Sequence, residues 1–270
     1  MAIITISRGS FSGGKAVAER LGARLGQPIL SREDALARAA KDFGIQESDL
    51  KTTLSKSPPF WQQMPGKRLA YVKCLTAVLL DCAREGNLIY HGRVGHLLLA
   101  NVPHVLRVRV IADMEYRIKS AMEQAGLERE AAVAHIRRVD EARSNWARLV
   151  YGVDWEDPRH YSVVFNLEEI GEDGVCETIV RMTELDDFKP TPEARKRFED
   201  LRLSCKVWAS LAGNPKTRSA GLEVTADDGD VLIQGTVGST AAADLVPQIA
   251  SEVEGVKSVR SEAGMGTDWY

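Results

Sequence analysis

The stretch GSFSGGKA, Gly9 to Ala16, follows the apolar run Ile3–Ile6 and precedes the amphipathic run Val17–Leu21. This order predicts a strand, a glycine-rich loop and a helix in direct succession. The spacing matches G-x-x-x-x-G-K with Lys15 as its lysine, a motif in which backbone N–H groups, the helix N-terminus and the ammonium surround a phosphate. A plain glycine turn is the alternative. The position after a strand and the retained lysine favour phosphate binding.

Composition limits the kind of protein. The chain has 270 residues, of which 44% are hydrophobic, so it can bury a sizeable core and form two domains. Its 35 basic and 38 acidic residues give a net charge of −3, which argues against a general nucleic-acid or membrane-surface binder and leaves room for a local basic pocket. The start of the sequence lacks the pattern of an export signal, and the four cysteines lack metal-ligand spacing. We therefore expect a cytoplasmic protein with free thiols.

Strands and helices alternate over the first two thirds of the chain. The predicted strands are Ile3–Ile6, Leu88–Tyr90, Val105–Ala112 and Ser162–Phe165, and the last predicted helix of this region runs from Asp173 to Leu185. Strands separated by helices predict an α/β fold with a parallel sheet, which binds ligands beyond the carboxyl ends of its strands. The segment Lys56–Gly66 is rich in proline and aromatic residues and is predicted to be a flap or insertion.

Six short motifs follow one another in a set order: Ile3–Gly14, Pro28–Glu33, Tyr90–Leu98, Val108–Ile118, Val139–Arg143 and Tyr161–Gly171. In these motifs the chain resembles the cytidylate-kinase-like proteins, which belong to the nucleoside monophosphate kinase group of P-loop proteins. The resemblance covers about residues 1 to 185. It implies a P-loop NTPase-type parallel sheet flanked by helices, with a core that binds ATP, a flap that receives the acceptor monophosphate and an arginine-bearing lid.

The resemblance implies that all eight residues of the loop contact the donor phosphates: Gly9, Ser10, Phe11, Ser12, Gly13, Gly14, Lys15 and Ala16. Phosphoryl transfer spreads negative charge over the moving group, so arginines and a lysine are suited to stabilise it. Lys15 would neutralise the terminal phosphates of the donor. Arg93 follows a predicted strand and would bind the acceptor phosphate, unless it only caps a loop. Arg32 is a second acceptor-side candidate, although the adjacent Glu33 and Asp34 could hold it in a surface ion pair.

A lid is predicted from one long helix, Arg129 to Val150. Arg137, Asp140 and Arg143 are spaced three apart and therefore share a face of this helix. The resemblance implies that the two arginines act in catalysis and that Asp140 orients them. An ordinary solvated helix face with i, i+3 ion pairs is the alternative interpretation.

The chain departs from the family pattern at two positions. Where the complete loop motif has Ser or Thr to hold Mg²⁺, this chain has Ala16 followed by Val17. The metal ligands stay unknown, and Ser12, Asp113 or water held by the nucleotide phosphates are the candidates. In cytidylate kinases an acid follows the Gly-Arg pair, whereas this chain has Val94. Specificity for cytidine therefore does not carry over.

A composition shift predicts a second domain. Residues 1–185 would form the P-loop domain, 186–197 a polar, proline-containing linker, and 198–270 a small α+β domain. Asp228-Gly229 lies between two alternating runs, which is a strong hairpin signal. With the stretches Asp228–Ser239 and Ile249–Glu262, this region resembles a BON domain, a binding or attachment module. Its ligand is not indicated by the sequence.

These observations predict a kinase that transfers phosphate from ATP to a nucleoside monophosphate or a similar small phosphorylated acceptor, with Mg²⁺ as cofactor. The C-terminal module would sense a ligand or mediate an interaction. The alternative is a nucleotide-binding sensor with little or no turnover, which the Ala16-Val17 departure favours. The acceptor and the oligomeric state stay open, homo-oligomers included.

Overall fold

The computed structural model describes residues 2–48, 65–92, 94–100, 102–218 and 221–265, with only the backbone described for 65–70. These residues divide into two compact units. The first unit contains residues 2–34 and the described part of 85–190. The second contains 35–48, 65–84 and the described part of 191–265.

The first unit is built on a parallel sheet with the strand order β2-β3-β1-β4-β5. Its strands are β1 (Ile3–Arg8), β2 (Ile29–Ser31), β3 (Leu88–His91), β4 (Val105–Ile111) and β5 (Val163–Asn166). The central strand β1 pairs on both sides, so that Ile3 lies opposite Leu88 of β3 and Val105 of β4. The predicted parallel α/β fold is confirmed.

Nine α-helices occur in the described residues: α1 (Gly14–Leu25), α2 (Arg32–Asp42), α3 (Pro65–Cys82), α4 (Gly95–Leu98), α5 (Met114–Ala125), α6 (Arg129–Tyr151), α7 (Leu167–Thr183), α8 (Pro192–Gly213) and α9 (Thr240–Ser251). The predicted start of α7 at Asp173 is wrong. Asn166 accepts a hydrogen bond from the Glu168 N–H and caps the helix, which therefore begins at Leu167. Gly171 (φ 69°) kinks the helix and interrupts its helical periodicity, so the first turn is not recognised in the sequence. No helix in the described part of the chain combines the length and apolar character needed to cross a membrane.

The core of the first unit lies between the sheet and the helices α1 and α7. Ile4 and Ile6 of β1 pack with Val17 and Leu21 of α1, and Ile179 of α7 joins the same buried cluster. Since alternate residues of a strand face opposite sides of the sheet, Ile4 and Ile6 point to one face together. This packing fixes β1 and α1, and with them both ends of the glycine-rich loop.

The second unit contains a three-stranded sheet with the order β6-β7-β8, formed by β6 (Gly221–Asp227), β7 (Asp230–Val237) and β8 (Ser258–Met265). Strands β6 and β7 are antiparallel, and the turn between them places Asp228 at φ 50° and Gly229 at φ 96°. The predicted Asp-Gly hairpin is confirmed. Strand β8 pairs with β7 in parallel.

Helix α3 packs along α8 within the second unit. The stretch Tyr71–Leu80 of α3 is almost entirely buried, and Asp81 pairs with Arg202 (2.9 Å) and Lys206 (3.2 Å) of α8. Residues of the stretch 1–185 therefore contact the C-terminal region at this helix pair. A helix that is apolar around most of its circumference needs neighbours on several sides. Helix α8 also begins at Pro192, inside the predicted linker 186–197.

Candidate phosphate-binding site

The glycine-rich loop joins β1 to α1 at the carboxyl edge of the parallel sheet. Gly13, the last residue before α1, has φ 78°, and a Cβ atom there would lie 2.1 Å from Cδ2 of Leu167. Only glycine meets both requirements. Gly13 has no side chain to cap the helix, so the first N–H groups of α1 stay available for an anion.

A cavity of about 570 Å³ opens at this loop, and all of its lining belongs to the first unit. The predicted site residues in its lining are Ser10, Phe11, Gly13, Lys15, Ala16, Arg32 and Arg143. The other lining residues are Arg8, Glu19, Glu33, His91, Gly92, Tyr116, Gln124, His135, Val139 and Glu172. The cavity thus brings the loop together with the carboxyl end of β3, the start of α2 and one side of α6.

Three predicted loop residues, Gly9, Ser12 and Gly14, are absent from the described lining of this cavity. The Ser12 hydroxyl donates to the carbonyl oxygens of Gly9 (3.0 Å) and Val110 (3.2 Å), which ties the loop to β4. The Arg117 guanidinium lies against Gly9, where an added Cβ atom would be 3.2 Å from its Cζ. These residues support the shape of the loop.

Lys15 and Arg32 differ in exposure. The Lys15 side chain is 67% exposed and lies 3.7 Å from the Glu19 carboxylate. The Arg32 side chain is 13% exposed and lies 3.6 Å from Glu33. The ion pair that was the alternative interpretation of Arg32 is therefore present, yet Arg32 also lines the cavity. The exposed pair of Lys15 contributes little free energy, so it does not prevent a phosphate from competing for Lys15.

Asp140 ties α6 to the loop. Its Oδ1 accepts hydrogen bonds from Ser10 N (3.2 Å), Ser10 Oγ (3.1 Å) and Arg143 Nη1 (3.2 Å), and its Oδ2 accepts one from Arg117 Nη2. Arg117 Nε also donates to the Ser10 carbonyl at 2.8 Å. Asp140 thus contacts Arg143, one of the two arginines that it is predicted to orient. The other, Arg137, is exposed and makes no hydrogen bond with Asp140 among the described contacts.

Arg143 is buried, so the alternative of a solvated face is wrong for this residue. Its Nη1 donates to the Arg8 carbonyl oxygen at 2.6 Å. Its Cζ lies 4.9 Å from the ring centroid of Trp155, and the Cζ of Arg109 lies 4.7 Å from the same ring. Arg109 in turn donates from Nη2 to Glu156 Oε1 at 2.9 Å. A buried ring shared by two guanidinium groups holds Arg143 in place.

Arg8 and His91 line the same cavity. Burial lowers the pKa of Arg8, while the Glu33 carboxylate acts in the opposite direction. Burial, followed by the charge of Arg8, lowers the pKa of His91. His91 is therefore neutral at pH 7. The positive charge of the cavity comes from its arginines and Lys15.

Magnesium lacks a suitable protein ligand at the loop. Ala16 and Val17 occupy the positions where a hydroxyl group would hold the ion. The Ser12 hydroxyl is fully buried and donates to two carbonyl oxygens, and the Asp113 carboxylate accepts a hydrogen bond from Tyr116 N (2.8 Å) as the cap of α5. Within the described ranges, no group of three or more His, Cys, Asp or Glu side chains could hold a metal. The loop itself therefore does not fit the hydroxyl-held Mg²⁺ of the complete motif.

Two predicted parts of the site lie outside the described residues. Arg93, the predicted acceptor-phosphate ligand, is one of them, and its role stays a prediction. The other is the predicted flap Lys56–Gly66 up to Met64.

Arg8, Arg117 and Trp155 are absent from the residues predicted for the site. Arg8 could have been found, because it directly precedes Gly9 at the end of β1 and therefore lies at the binding edge of the sheet. Arg117 and Trp155 reach the loop and Arg143 from distant parts of the sequence. Neither carries a local sequence signal for these contacts.

Two cytidylate kinases and one protein of known structure are among the proteins that resemble the chain. Cytidylate kinase of Ignicoccus hospitalis (strain KIN4/I / DSM 18386 / JCM 14125) is 26% identical over 182 residues, covering 67% of this chain and 99% of the relative. Cytidylate kinase of Thermococcus kodakarensis (strain ATCC BAA-918 / JCM 12380 / KOD1) is 23% identical over 193 residues, covering 71% of this chain and 92% of the relative. The structure of an uncharacterized protein from Eubacterium ventriosum ATCC 27560 is 20% identical with a TM-score of 0.51, covers 68% of this chain and 98% of that chain, and shows a shared fold.

Two family models match separate parts of the chain. The BON domain model matches residues 199–263, which include β6, β7 and most of α8, so this region is a BON domain. The model of the cytidylate kinase-like family matches residues 3–169, including all five parallel strands and the loop. Since this second match spans more than half of the chain, the chain belongs to the cytidylate kinase-like family.

Proposed function

We propose that the chain catalyses ATP-dependent phosphoryl transfer to a nucleoside monophosphate or a similar small phosphorylated acceptor. The observation that carries the proposal is a cavity in which Lys15 of the glycine-rich loop lies together with Arg32 and Arg143. Catalysis of phosphoryl transfer consists mainly of alignment and charge stabilisation, and these groups supply both. The family and the names of the two relatives support a nucleotide-kinase-like activity.

The donor ATP would bind at the loop. The free N–H groups at the start of α1 and the exposed Lys15 ammonium would contact its terminal phosphates. Any Mg²⁺ would arrive bound to the ATP phosphates, because the loop itself offers no hydroxyl group after Lys15.

The acceptor would bind on the side of Arg32 and Arg93. An oxygen of the acceptor phosphate would form a bond to the γ-phosphorus of ATP while the bond from that phosphorus to the β–γ bridging oxygen breaks, which yields ADP and the acceptor diphosphate. Arg143 would stabilise the negative charge on the moving group, Asp140 would hold Arg143 toward the loop, and Arg137 would approach from the exposed side of α6.

The nucleoside of the acceptor is not specified by the position after the Gly-Arg pair. Val94 is 2% exposed and offers no polar group that could read a base or a sugar. We therefore propose the acceptor only as a class. The BON domain would act as a ligand-sensing or interaction module, and no group of metal-binding side chains is found in its described residues.

A panel of acceptors separates the kinase from the sensor. The full chain is incubated with ATP, Mg²⁺ and each nucleoside monophosphate or small phosphorylated compound, and the formation of ADP and of the acceptor diphosphate is measured. Turnover with one class of acceptor supports the kinase. ATP binding without transfer to any acceptor would replace it by a nucleotide-binding sensor, which the absence of a hydroxyl at Ala16 and Val17 favours.

An arginine variant tests the site in any acceptor reaction that is found. Arg143→Ala should lower kcat roughly 100-fold while leaving ATP affinity nearly unchanged, because Arg143 would act on the moving group. Arg148→Ala is the matched control on the same helix, since the Arg148 side chain is 62% exposed and does not line the described cavity. Equal losses in both variants would remove Arg143 from the catalytic step.

A further inference from the structure

The loop combines a phosphate-binding shape with a poor set of metal ligands. Its hydroxyl position holds Ala16, Ser12 is buried and donates to two backbone oxygens, and Asp113 caps a helix. The triphosphate of ATP nevertheless carries several negative charges that a site must neutralise. Without a metal ligand in the loop, this neutralisation requires a positively charged side chain beside the loop.

Arg8 occupies the place where such a charge is needed. It is the last residue of β1 and directly precedes the loop. Its side-chain stem lies across Gly14, the first residue of α1, because a Cβ atom on Gly14 would be 2.7 Å from Arg8 Cδ and 2.8 Å from Arg8 Cβ. The residue therefore packs against the start of the anion-binding helix, and it lines the cavity.

The guanidinium of Arg8 is incompletely satisfied in its present surroundings. Its Nε is buried and has no hydrogen-bond partner in the described part of the chain. Burial lowers the pKa of Arg8, yet a guanidinium titrates so far above neutrality that the group stays charged at pH 7. A half-buried cation whose buried Nε donor is unused, beside a cavity, favours an anion in that cavity.

We infer that Arg8 binds the phosphates of the donor nucleotide and takes over the charge neutralisation that a protein-held Mg²⁺ would otherwise provide. This inference rests on the proposed function, because it concerns the same phosphate site. It implies that a polyphosphate binds with little dependence on Mg²⁺ and with strong dependence on Arg8.

Calorimetry with ADP and with inorganic pyrophosphate tests the inference, once in excess Mg²⁺ and once in excess EDTA. The Kd of the wild type should change by less than about threefold between the two conditions. Arg8→Ala should weaken binding roughly 10- to 100-fold in both, the loss expected for a charge-assisted contact. Arg24→Ala is the matched control, because Arg24 is an exposed arginine that pairs with Asp173 outside the described cavity lining.

A variant that restores the hydroxyl group of the motif also tests whether Arg8 replaces a protein-held Mg²⁺. Ala16→Ser places a hydroxyl group where the complete motif has one, so Mg²⁺ should strengthen pyrophosphate binding more in this variant than in the wild type. Arg8→Lys keeps the charge but loses the planar donor, so we expect an intermediate affinity. Circular dichroism and thermal melting verify that each variant is folded.

The outcomes separate this inference from the proposed function. Mg²⁺ that strengthens wild-type binding more than about tenfold overturns the inference and leaves the phosphate site intact; this comparison needs no variant. Arg8→Ala with the affinity of the wild type overturns it as well. Absence of binding by the wild type in every condition overturns both.

Discussion

Gly13 shows how one residue determines the geometry of the loop. Its φ of 78° is unfavourable for any residue with a side chain, and the neighbouring Leu167 leaves no room for a Cβ atom. The two effects are separable, because Gly26 at the end of α1 has a similar φ of 61° but no atom within 4 Å of its added Cβ atom. Gly26 therefore isolates the cost of the backbone conformation.

The first prediction compares these two glycines. Gly26→Ala should cost about 1 kcal/mol from backbone strain alone. Gly13→Ala should cost about 2–4 kcal/mol, because overpacking against Leu167 adds to the strain. Chemical denaturation of both variants measures the difference. Equal losses would mean that Leu167 does not restrict the loop.

At the scale of elements, Asp81 connects α3 to α8. Burial by itself would raise the pKa of Asp81, but the charges of Lys206 and Arg202 outweigh it and hold the pKa below the ordinary value of 3.8. A carboxyl group whose pKa is lowered on folding stabilises the fold at neutral pH. This contribution is lost as the pH falls through the lowered pKa.

The second prediction follows from the lowered pKa of Asp81. Asp81→Asn should destabilise the second unit by roughly 1 kcal/mol at pH 7, a modest value because the side chain is 32% exposed and solvent screens the pairs. The difference from the wild type should shrink as the pH falls below about 4. Thermal melting at pH 7 and pH 3 measures it. Asp244→Asn, at an exposed position on α9, is the control, and a difference that persists at pH 3 would contradict the assignment.

Elements with local signals were predictable, and contacts between distant elements were not. The strand-loop-helix order around Lys15 and the Asp228-Gly229 hairpin follow from turn chemistry and periodicity. The contacts of Asp140 with Ser10 and Arg117 join residues 130 and 23 positions away in the chain, and no periodic pattern reports them. Helix α3 did carry a signal, since the nearly unbroken apolar run Tyr71–Leu80 indicates burial on several sides.

For the whole molecule, the C-terminal region contributes helix α8, which packs against α3. Cys74 and Val78 of α3 are buried within the second unit, and one turn later Asp81 contacts α8. A chain without α8 would expose this side of α3 to water. Exposed apolar helix faces promote aggregation.

The third prediction is that residues 1–185 alone are less stable than the full chain. We expect a lower thermal midpoint and aggregation of the shortened protein, both reduced when residues 191–270 are added as a separate fragment. Size-exclusion chromatography and thermal melting measure this. A monomeric shortened protein with the thermal midpoint of the full chain would show that α8 is not needed to cover α3.

Calorimetric titration of ATP into the full chain tests the central claim, that the Gly9–Ala16 loop is a phosphate-binding site. We predict binding by the wild type and a loss of roughly tenfold or more in Lys15→Ala, because Lys15 supplies a charge-assisted contact to the phosphates. Lys119→Ala should bind as the wild type does, since Lys119 is 78% exposed on α5 and pairs only with Glu123 among the described residues. No binding by the wild type, or equal binding by Lys15→Ala, would contradict the account.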